Sequence, residues 1–400
     1  MTAGGALAVP RISTARVWTM LAVGVFAQTA TTAFVVAPAL LIPLLHLRQG
    51  VPLVQAGLLA AAPNLGLVLA LVAWGAAADR FGERVVLVTG LVLTTAAALV
   101  AAAPVGSTGL GIALLVGGAA SASANAASGR IVVGWFARER RGLAMGIRQM
   151  CQPLGVTIAA VTVPTIAEGA GVGAALLLPA ALCGVAAVLL AIVVVDPPRA
   201  DRTAEATANP YRRSGFLVRV HLVSALLVVP QFTLSTFGLL WLVGSLHWRV
   251  LPAGLLVGAA QFVGAIGRLV VGALSDRAAS RVGPLRLVAV LAVAVMALLA
   301  LAAGLAPAAA AVVFVVASTV SVADNGLAFT AVAEAAGTFW AGRALGVQNT
   351  GQFLAAAAVG PVVGALIAGV GFPLAFVIVA AAPALAVPLV PPRSAEHDRL

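Results

Sequence analysis

A short charged phrase occurs twice in this chain, about half a chain length apart, within otherwise apolar sequence. The first copy is Gly75-Ala-Ala-Ala-Asp79-Arg80-Phe-Gly82-Glu-Arg84, and the second is Gly272-Ala-Leu-Ser-Asp276-Arg277. The glycine, aspartate and arginine of the second copy each lie 197 positions after those of the first, as residue 276 does after residue 79. Because each copy follows a long apolar run, the repeat indicates a duplicated membrane unit.

The composition identifies a lipid bilayer as the solvent for most of the chain. Hydrophobic residues make up 62% of the sequence and charged residues 9%, and the mean hydropathy is +1.12. A membrane-spanning helix needs roughly 20 apolar residues, and the sequence contains twelve apolar runs of about that length or longer. We call them spans 1 to 12: 17–45, 53–77, 84–104, 109–135, 142–167, 173–195, 216–245, 252–274, 285–305, 308–336, 342–369 and 372–391. The predicted fold is an all-α membrane protein of about twelve transmembrane helices.

Arginine placement predicts the orientation of the chain in the membrane. The formal charge of +11 would suggest nucleic acid as a partner of a soluble protein, but here the arginines cluster near both termini, after the even-numbered spans and around a polar stretch at 196–215. Positive connections stay in the cytoplasm. We therefore predict a multi-pass protein of the inner (plasma) membrane with cytoplasmic termini and no nucleic-acid partner. The predicted domains are an N-terminal half (1–195), a cytoplasmic linker (196–215) and a C-terminal half (216–400).

The two halves also match within their spans. Ser121-Ala-Ser-Ala-Asn125 corresponds to Ser321-Val-Ala-Asp324-Asn325, and the segment 142–152 corresponds to 342–352, both at an offset of 200. In addition, Gln28 and Thr32 resemble Gln231 and Ser235. Spans 1, 4 and 5 therefore correspond to spans 7, 10 and 11, which predicts two pseudo-symmetric six-helix halves.

On these motifs the chain resembles the major facilitator superfamily. The first loop fits that family's Gly-x-x-x-Asp-Arg-x-Gly-x-Arg pattern, although Glu83 replaces a basic residue and the last glycine of the second copy is displaced to Gly283. The segment from Arg141 to Gly155 resembles the cyanate-transporter-like branch. The resemblance implies a secondary transporter that works by alternating access, with the two halves rocking about a site at mid-membrane.

The sequence gives no indication of an enzyme, a cofactor or a metal site. It contains no phosphate-binding loop, no cluster of metal-ligating residues and no nucleophile triad. Cys151 and Cys183, its two cysteines, lie within spans 5 and 6, so neither a disulfide nor a metal centre is expected. The first apolar run is too long for a cleavable signal peptide and is interpreted as a retained helix.

Polar residues within the spans predict a central path. Spans 3, 6, 9 and 12 contain almost nothing polar between their ends, so the other eight are expected to line a water-filled cavity. Arg148, Arg268 and Asp324 lie well inside spans, where a charge costs about 2.5–3.5 kcal/mol. The arginines could instead snorkel toward the cytoplasmic headgroups, and Asp324 could simply bond Ser321 one turn away.

We predict that a small anionic substrate binds between Arg148 and Arg268, because a guanidinium presents a planar fork of donors to carboxylate-like groups. Asp324 would hold one arginine in place or carry a coupling proton. Permanent pairing of Asp324 with one arginine, the other acting as a strut, is the structural alternative. Neutral hydrogen bonds to the substrate are expected from Gln28, Gln149, Gln152, Gln231, Gln261, Asn325, Gln348, Asn349 and Gln352.

The repeated loops are predicted to control conformation. Their glycines allow tight bends, and the two aspartates can accept from helix N-termini across the interface between the halves. Arg130 would be an ionic neighbour of Asp79, whereas simple positive-inside anchoring would explain the arginines alone. The residues assigned to this conformational motif are Gly75, Asp79, Arg80, Gly82, Arg84, Arg130, Gly272, Asp276 and Arg277.

The sequence as a whole predicts a monomeric secondary active transporter of a small organic anion, with the lipid bilayer as a second partner and protons as a candidate third. A proton-coupled exporter of drugs or metabolites, with Asp324 as the proton carrier, is one alternative. A membrane receptor that no longer transports is another, although nothing would then maintain the cost of inserting its buried charges.

Overall fold

The computed structural model describes residues 13–136, 144, 147–148, 150–196, 209–212, 215–278, 280–305, 307–336 and 340–397, and its regular structure there is helical throughout. Spans 1 to 4 form Thr14–Leu40 with a π-helical end at Leu44–Arg48, then Leu53–Phe81, Glu83–Ala102 and Gly106–Trp135. Spans 5 and 6 form Cys151–Val193. Span 7 is Phe216–Leu240 with a π-helical end at Trp241–Ser245, preceded by a 3₁₀ turn at Pro210–Arg212. The remaining helices are Val250–Arg277, Val282–Leu305, Pro307–Ser321, Asp324–Ala336, Ala341–Val379, Ala381–Leu389 and Ser394–His397.

The two longest helices each contain two membrane crossings. Backbone dihedrals leave the helical region at Gly171 (φ 87°) and Gly371 (φ 76°). The indole of Trp135, at the end of span 4, donates to the Val195 carbonyl (2.9 Å), so the chain returns after Gly171 to the face where span 4 ends. With these two helices counted twice, the ten helices that are long and apolar enough to cross a membrane in the described residues agree with the twelve predicted spans. The predicted all-α membrane fold is confirmed.

Among the described residues, the halves share a hydrophobic core at one end of the bundle. We call the end that bears the two repeated loops the motif face, and the opposite end the far face. On the far-face side a single cluster includes residues of both halves, such as Leu41, Ala160, Leu240 and Val363. On the motif-face side the clusters belong to one half each: two contain only residues 17–195 and one only residues 211–395. As far as the described residues go, the space between the halves therefore opens toward the motif face.

Close backbone packing seals the far face. Span 2 crosses span 11 where Gly57 meets Gly360, and a Cβ on either glycine would overlap the carbonyl of the other. Span 8 crosses span 5 in the same way, with Gly254 against the Ala160 carbonyl. Small residues let helix backbones approach this closely in lipid, and these contacts join the halves.

The sequence repeat is also a repeat of backbone geometry. The π-helical ends of spans 1 and 7 begin at Leu44 and Trp241, 197 positions apart. Each is followed at the same offset by a left-handed residue, Gly50 (φ 68°) or His247 (φ 56°). Gly171 and Gly371 repeat at an offset of 200. The described residues thus support the pseudo-symmetry, while the exact boundaries of the two halves and the linker stay predictions.

Span 10 differs from the continuous helix that the sequence predicts. It is interrupted at residues 322–323, and a tighter bond from the Ala323 N–H to the Val320 carbonyl (3.1 Å) closes the preceding turn. Asp324 consequently begins a new half-helix in the middle of the span. A carboxylate at a helix N-terminus is favoured by the helix dipole.

Candidate functional site

A cavity of about 990 Å³, including its open mouth, lies between the two halves. Its described lining comes from spans 1, 2, 4, 5, 7, 8, 10 and 11, and includes no residue of spans 3, 6, 9 and 12. These are the eight spans in which the sequence places polar side chains. The predicted division into eight lining spans and four outer spans is therefore confirmed for the described residues.

The cavity wall combines apolar surface with many polar side chains, and Arg268 is its one charged side chain among the residues that the structure describes. Amides line it at Asn64, Asn125, Gln152, Gln231 and Gln261, and hydroxyls at Thr31, Thr32, Ser121, Ser235, Ser318 and Ser321. Aromatic rings contribute at Phe232, Phe314 and Phe353. A wall with one cation, many neutral hydrogen-bonding groups and an aromatic patch can bind a small, partly apolar anion.

Arg268 is held by the interruption of span 10. Its Nε donates to the Val322 carbonyl (3.2 Å), one of the groups in the broken turn. Within the described part of the chain its two terminal nitrogens make no hydrogen bond, so they remain available at the cavity. This geometry aims the guanidinium fork into the space between the halves.

Asp324 lies behind Arg268 and is fully buried. The two charges are close enough to interact electrostatically, but neither carboxylate oxygen has a hydrogen-bond partner among the described residues. Ser321 donates instead to the Ser318 carbonyl (3.0 Å). The alternative that Asp324 serves as a structural partner of Ser321 is therefore wrong.

Arg148 belongs to a polar cluster in the N-terminal half that stands behind the cavity wall. Its Nε donates to the Ser128 hydroxyl (3.0 Å), and that hydroxyl donates to the side-chain carbonyl of Gln28 (3.1 Å). The Gln28 amide in turn donates to Asn125 (3.0 Å), which lines the cavity. Arg148 is thus linked to the cavity through three successive hydrogen bonds.

The C-terminal half has a corresponding cluster, whose described side chains include no arginine. Asn325 donates to Gln231 (3.1 Å), and Gln352 donates to Asn325 (3.1 Å) and to Ser224 (2.6 Å). One turn before Gln352, the Gln348 side-chain carbonyl contacts His221 Nδ1 (2.5 Å). In both halves, therefore, a side-chain amide of the first span is hydrogen-bonded to a side-chain amide of the fourth span of the same half.

The predicted substrate-binding residues separate into two groups. Gln152, Gln231, Gln261 and Arg268 line the cavity. The others lie outside its described lining, namely Arg148, Gln28, Asn325, Gln348, Asn349 and Gln352, while Gln149 lies outside the described residues. Asn349 donates to the Leu345 carbonyl of its own helix (3.1 Å).

Two lining amides, Asn64 and Asn125, were not among the sequence-based site residues. Asn125 aligns with Asn325 in the repeat, and because Asn325 was predicted to bind substrate, this alignment could have identified Asn125 as well. Asn64 is an isolated amide in the apolar run of span 2, and an uncompensated polar group inside a span is itself a sign of a wet or bonded environment.

The repeated loop of the N-terminal half packs against the end of span 6. Gly82 adopts φ 95°, and the Arg84 N–H donates to Asp196 Oδ1 (2.7 Å). The guanidinium of Arg84 bonds the Ala191 carbonyl, and Arg80 lies over the Phe81 ring (5.3 Å). Gly75 and Gly272 have open space where a Cβ would lie, and Arg277 is exposed. The side chains of Asp79, Arg130 and Asp276 lie outside the described structure, so their predicted contacts stay predictions.

The fold and its central cavity are those of a multi-pass membrane transporter. Similarity to known proteins identifies the family. The sequence profile of the Major Facilitator Superfamily matches residues 20–359. A relative from Mycobacterium tuberculosis strain H37Rv, the uncharacterized MFS-type transporter Rv2994, is 44% identical over 379 residues, which cover 94% of this chain and 85% of the relative. The same identity and coverage hold for MT3072 of strain CDC 1551. The chain belongs to the Major Facilitator Superfamily.

Solved structures agree with this fold at low sequence identity. A bacterial homologue of the human lysosomal transporter Spinster, inward-facing and unoccupied, gives a TM-score of 0.76 at 14% identity, covering 95% of this chain and 97% of that chain. A D-xylose–proton symporter gives 0.77 at 14% identity, covering 94% and 98%. These similarities describe the fold alone, and the resemblance to the cyanate-transporter-like branch stays a prediction.

Proposed function

We propose that this chain is a secondary active transporter that moves a small organic anion across the inner membrane by alternating access. The observation that carries the proposal is Arg268, the charged side chain in the described cavity lining, with both terminal nitrogens free of hydrogen bonds there. A carboxylate would take these donors in a bidentate pair, which is stronger than neutral hydrogen bonds.

The transport cycle would begin from the conformation described above. The positive-inside rule puts the motif face in the cytoplasm, so a cavity that is closed at the far face and open at the motif face corresponds to an inward-open state. Rocking of the halves would separate Gly57 from Gly360 and close the motif face. In this cycle both termini stay inside, and a single chain provides a complete pathway.

Proton coupling through Asp324 is a second candidate property. Its carboxylate is fully buried and has no hydrogen-bond partner in the described part of the chain. This supports coupling, because an uncompensated buried charge is costly and a proton removes that cost. If the substrate is an anion, the substrate bound at Arg268 and a proton bound at Asp324 would cross the membrane together. In an exporter of cationic compounds, the substrate would instead exchange with the proton on Asp324.

A thermal-shift screen of the purified protein tests the substrate class, because a ligand that binds the folded state stabilises it by mass action. We expect stabilisation by at least one anion among acetate, pyruvate, succinate and benzoate, and none by the cationic dye ethidium. Arg268→Gln should abolish the response. Arg48→Gln is the matched control, because Arg48 lies on the far face outside the central cavity.

The opposite pattern would replace the anion proposal. If ethidium stabilises the wild type, and Asp324→Asn alone removes that effect, the exporter function is supported. Coupling is tested separately in proteoliposomes: Asp324→Asn should prevent accumulation driven by a pH gradient while leaving exchange of substrate across the membrane intact. Loss of exchange as well would make Asp324 a structural residue.

A further inference from the structure

In each half, one pair of hydrogen-bonded amides has one member in the cavity wall and the other behind it. Asn125 and Gln231 line the cavity, and their partners Gln28 and Asn325 do not. Gln28 Nε2 donates to Asn125 Oδ1 (3.0 Å), and Asn325 Nδ2 donates to Gln231 Oε1 (3.1 Å). In both pairs, therefore, the wall amide uses its oxygen to accept from the amide behind it.

This arrangement leaves the wall amides with free donors. An amide NH₂ has two donor hydrogens, and in the described structure neither Asn125 Nδ2 nor Gln231 Nε2 makes a hydrogen bond. Each amide behind the wall accepts in turn from a third residue. Ser128, whose hydroxyl is shared with the Ala124 carbonyl, donates to Gln28 Oε1 (3.1 Å), and Gln352 donates to Asn325 Oδ1 (3.1 Å). The direction of each pair is thus supported from behind the wall.

We propose that Asn125 and Gln231 donate hydrogen bonds to a neutral acceptor oxygen of the substrate while Arg268 binds its carboxylate, so that the ligand is a monoanionic oxo acid. This inference rests on the proposed anion transport through Arg268. Gln28 and Asn325 are positioning residues that keep the two wall amides turned with their N–H groups toward the ligand.

Charge and shape narrow the ligand further. Arg268 can neutralise one carboxylate, and a second carboxylate would have no cationic partner in the described wall, which is unfavourable when desolvated. Phe232, Phe314 and Phe353 line the cavity as well, so the body of the acid can be apolar. A branched oxo acid of about six carbon atoms combines these features.

A matched pair of acids tests the proposal, because 4-methyl-2-oxopentanoate and 4-methylpentanoate are both monoanions and differ only in the oxo group. We expect the purified wild-type protein to bind the oxo acid roughly tenfold more tightly, as the gain of one or two hydrogen bonds implies. Titration calorimetry or ligand-dependent thermal shift measures both affinities on the same preparation.

Substitutions in the amide pairs test whether these pairs cause the preference for the oxo acid. Asn125→Leu and Gln231→Met should each reduce the preference to about twofold or threefold, with the affinity for 4-methylpentanoate nearly unchanged. Because Asn125→Leu leaves the Gln28 donor buried without a partner, the double variant Gln28→Met/Asn125→Leu replaces both groups by apolar ones of similar shape. Gln28→Met alone should weaken the preference partially. Thr29→Val is the control, since Thr29 is buried beside Gln28 and does not line the cavity.

The outcomes separate this inference from the function on which it rests. If the wild type binds neither acid, or Arg268→Gln binds both as well as the wild type does, anion binding at Arg268 fails and the inference fails with it. If both acids bind equally and Arg268→Gln abolishes binding, anion transport stands and the role of the amides is overturned. An undiminished preference for the oxo acid in the Asn125 and Gln231 variants also overturns it.

Discussion

The two halves share a backbone plan but differ in where they place charge. The π-helical ends, the left-handed residues after them and the glycine breaks recur at offsets of 197 or 200. At equivalent positions, however, Arg148 corresponds to Gln348, and Arg268 and Asp324 correspond to Leu71 and Ala124. Helix ends and turns are required in each half, whereas every buried charge has an insertion cost. A pseudo-symmetric scaffold thus contains an asymmetric site.

The largest expected effect concerns the two arginines that the halves do not share. Arg268→Gln should weaken anion binding about 100-fold, because it removes a charge-assisted contact in the cavity wall. Arg148→Gln, which installs the residue that the C-terminal half has at this position, should weaken binding only about threefold, since Arg148 acts through hydrogen bonds behind the wall. Titration of the stabilising anion against both variants measures this. The reverse order would restore Arg148 as the principal binding residue.

A second comparison tests whether the far face joins the halves as a gate. Gly57→Val places a side chain against the Gly360 backbone, and overpacking of about 1–3 kcal/mol would shift the conformational equilibrium by roughly fivefold to 150-fold away from far-face closure. Spin labels at Gln49 and Arg249, exposed residues of the two halves near this face, should move apart in pulsed electron paramagnetic resonance. The labels require replacement of both native cysteines.

Gly75→Val is the control for this experiment, because Gly75 has open space where a Cβ would lie. The label distance should remain that of the parent protein. Transport by the Gly57→Val variant should be slower than that of the parent protein, and its label distance should be longer. If the variant transports normally and its labels stay at the parent distance, this crossing is not part of the gate.

The repeated turn after spans 1 and 7 allows a direct comparison of stability. Gly50→Ala introduces a Cβ at positive φ with no atom within 4 Å, so it should destabilise the protein by about 1 kcal/mol through backbone strain alone. His247→Gly relieves the same strain in the other half and should be neutral or stabilising by less than about 1 kcal/mol. Thermal unfolding in detergent measures both variants. Equal losses at both positions would show that side-chain contacts dominate.

The smallest expected effect belongs to the C-terminal half alone. Tyr211, the chain's one tyrosine, contacts His221 Nε2 through its hydroxyl (2.9 Å), and burial raises the pKa of its phenol. Its absorbance titration should therefore have a midpoint above about 10, the usual tyrosine value. The stabilising contribution is complete below that value and is lost as the pH rises through the folded-state pKa.

Tyr211→Phe checks this assignment. The variant should lose the phenolate absorbance change entirely and at most about 1 kcal/mol of stability at neutral pH, the usual net value of one hydrogen bond. A midpoint at or below 10 in the wild type would mean that the phenol is solvated rather than packed against span 7.

The sequence alone determined the solvent, the twelve spans, the half-repeat and the family resemblance. These features depend on properties that are local along the chain: apolar run length, the position of arginines and the spacing of a short motif. It also identified which eight spans line the cavity, because polar groups inside a bilayer must face water or one another. The sequence also identified Arg268 and Asp324 as candidate functional residues, because a charge inside a membrane span is costly.

Only the tertiary structure decided which polar side chains face the cavity and which bond to one another behind its wall. Gln28 and Gln231 are both amides in the first span of their half, yet the first lies behind Asn125 and the second lines the cavity. Arg148 likewise donates a hydrogen bond to Ser128 behind the wall. The interruption at residues 322–323, where the Val322 carbonyl accepts from Arg268, also contains no glycine or proline that would indicate it in the sequence. A helix sequence fixes the relative directions of its side chains, but contacts between distant spans fix how the helix is rotated and where it breaks.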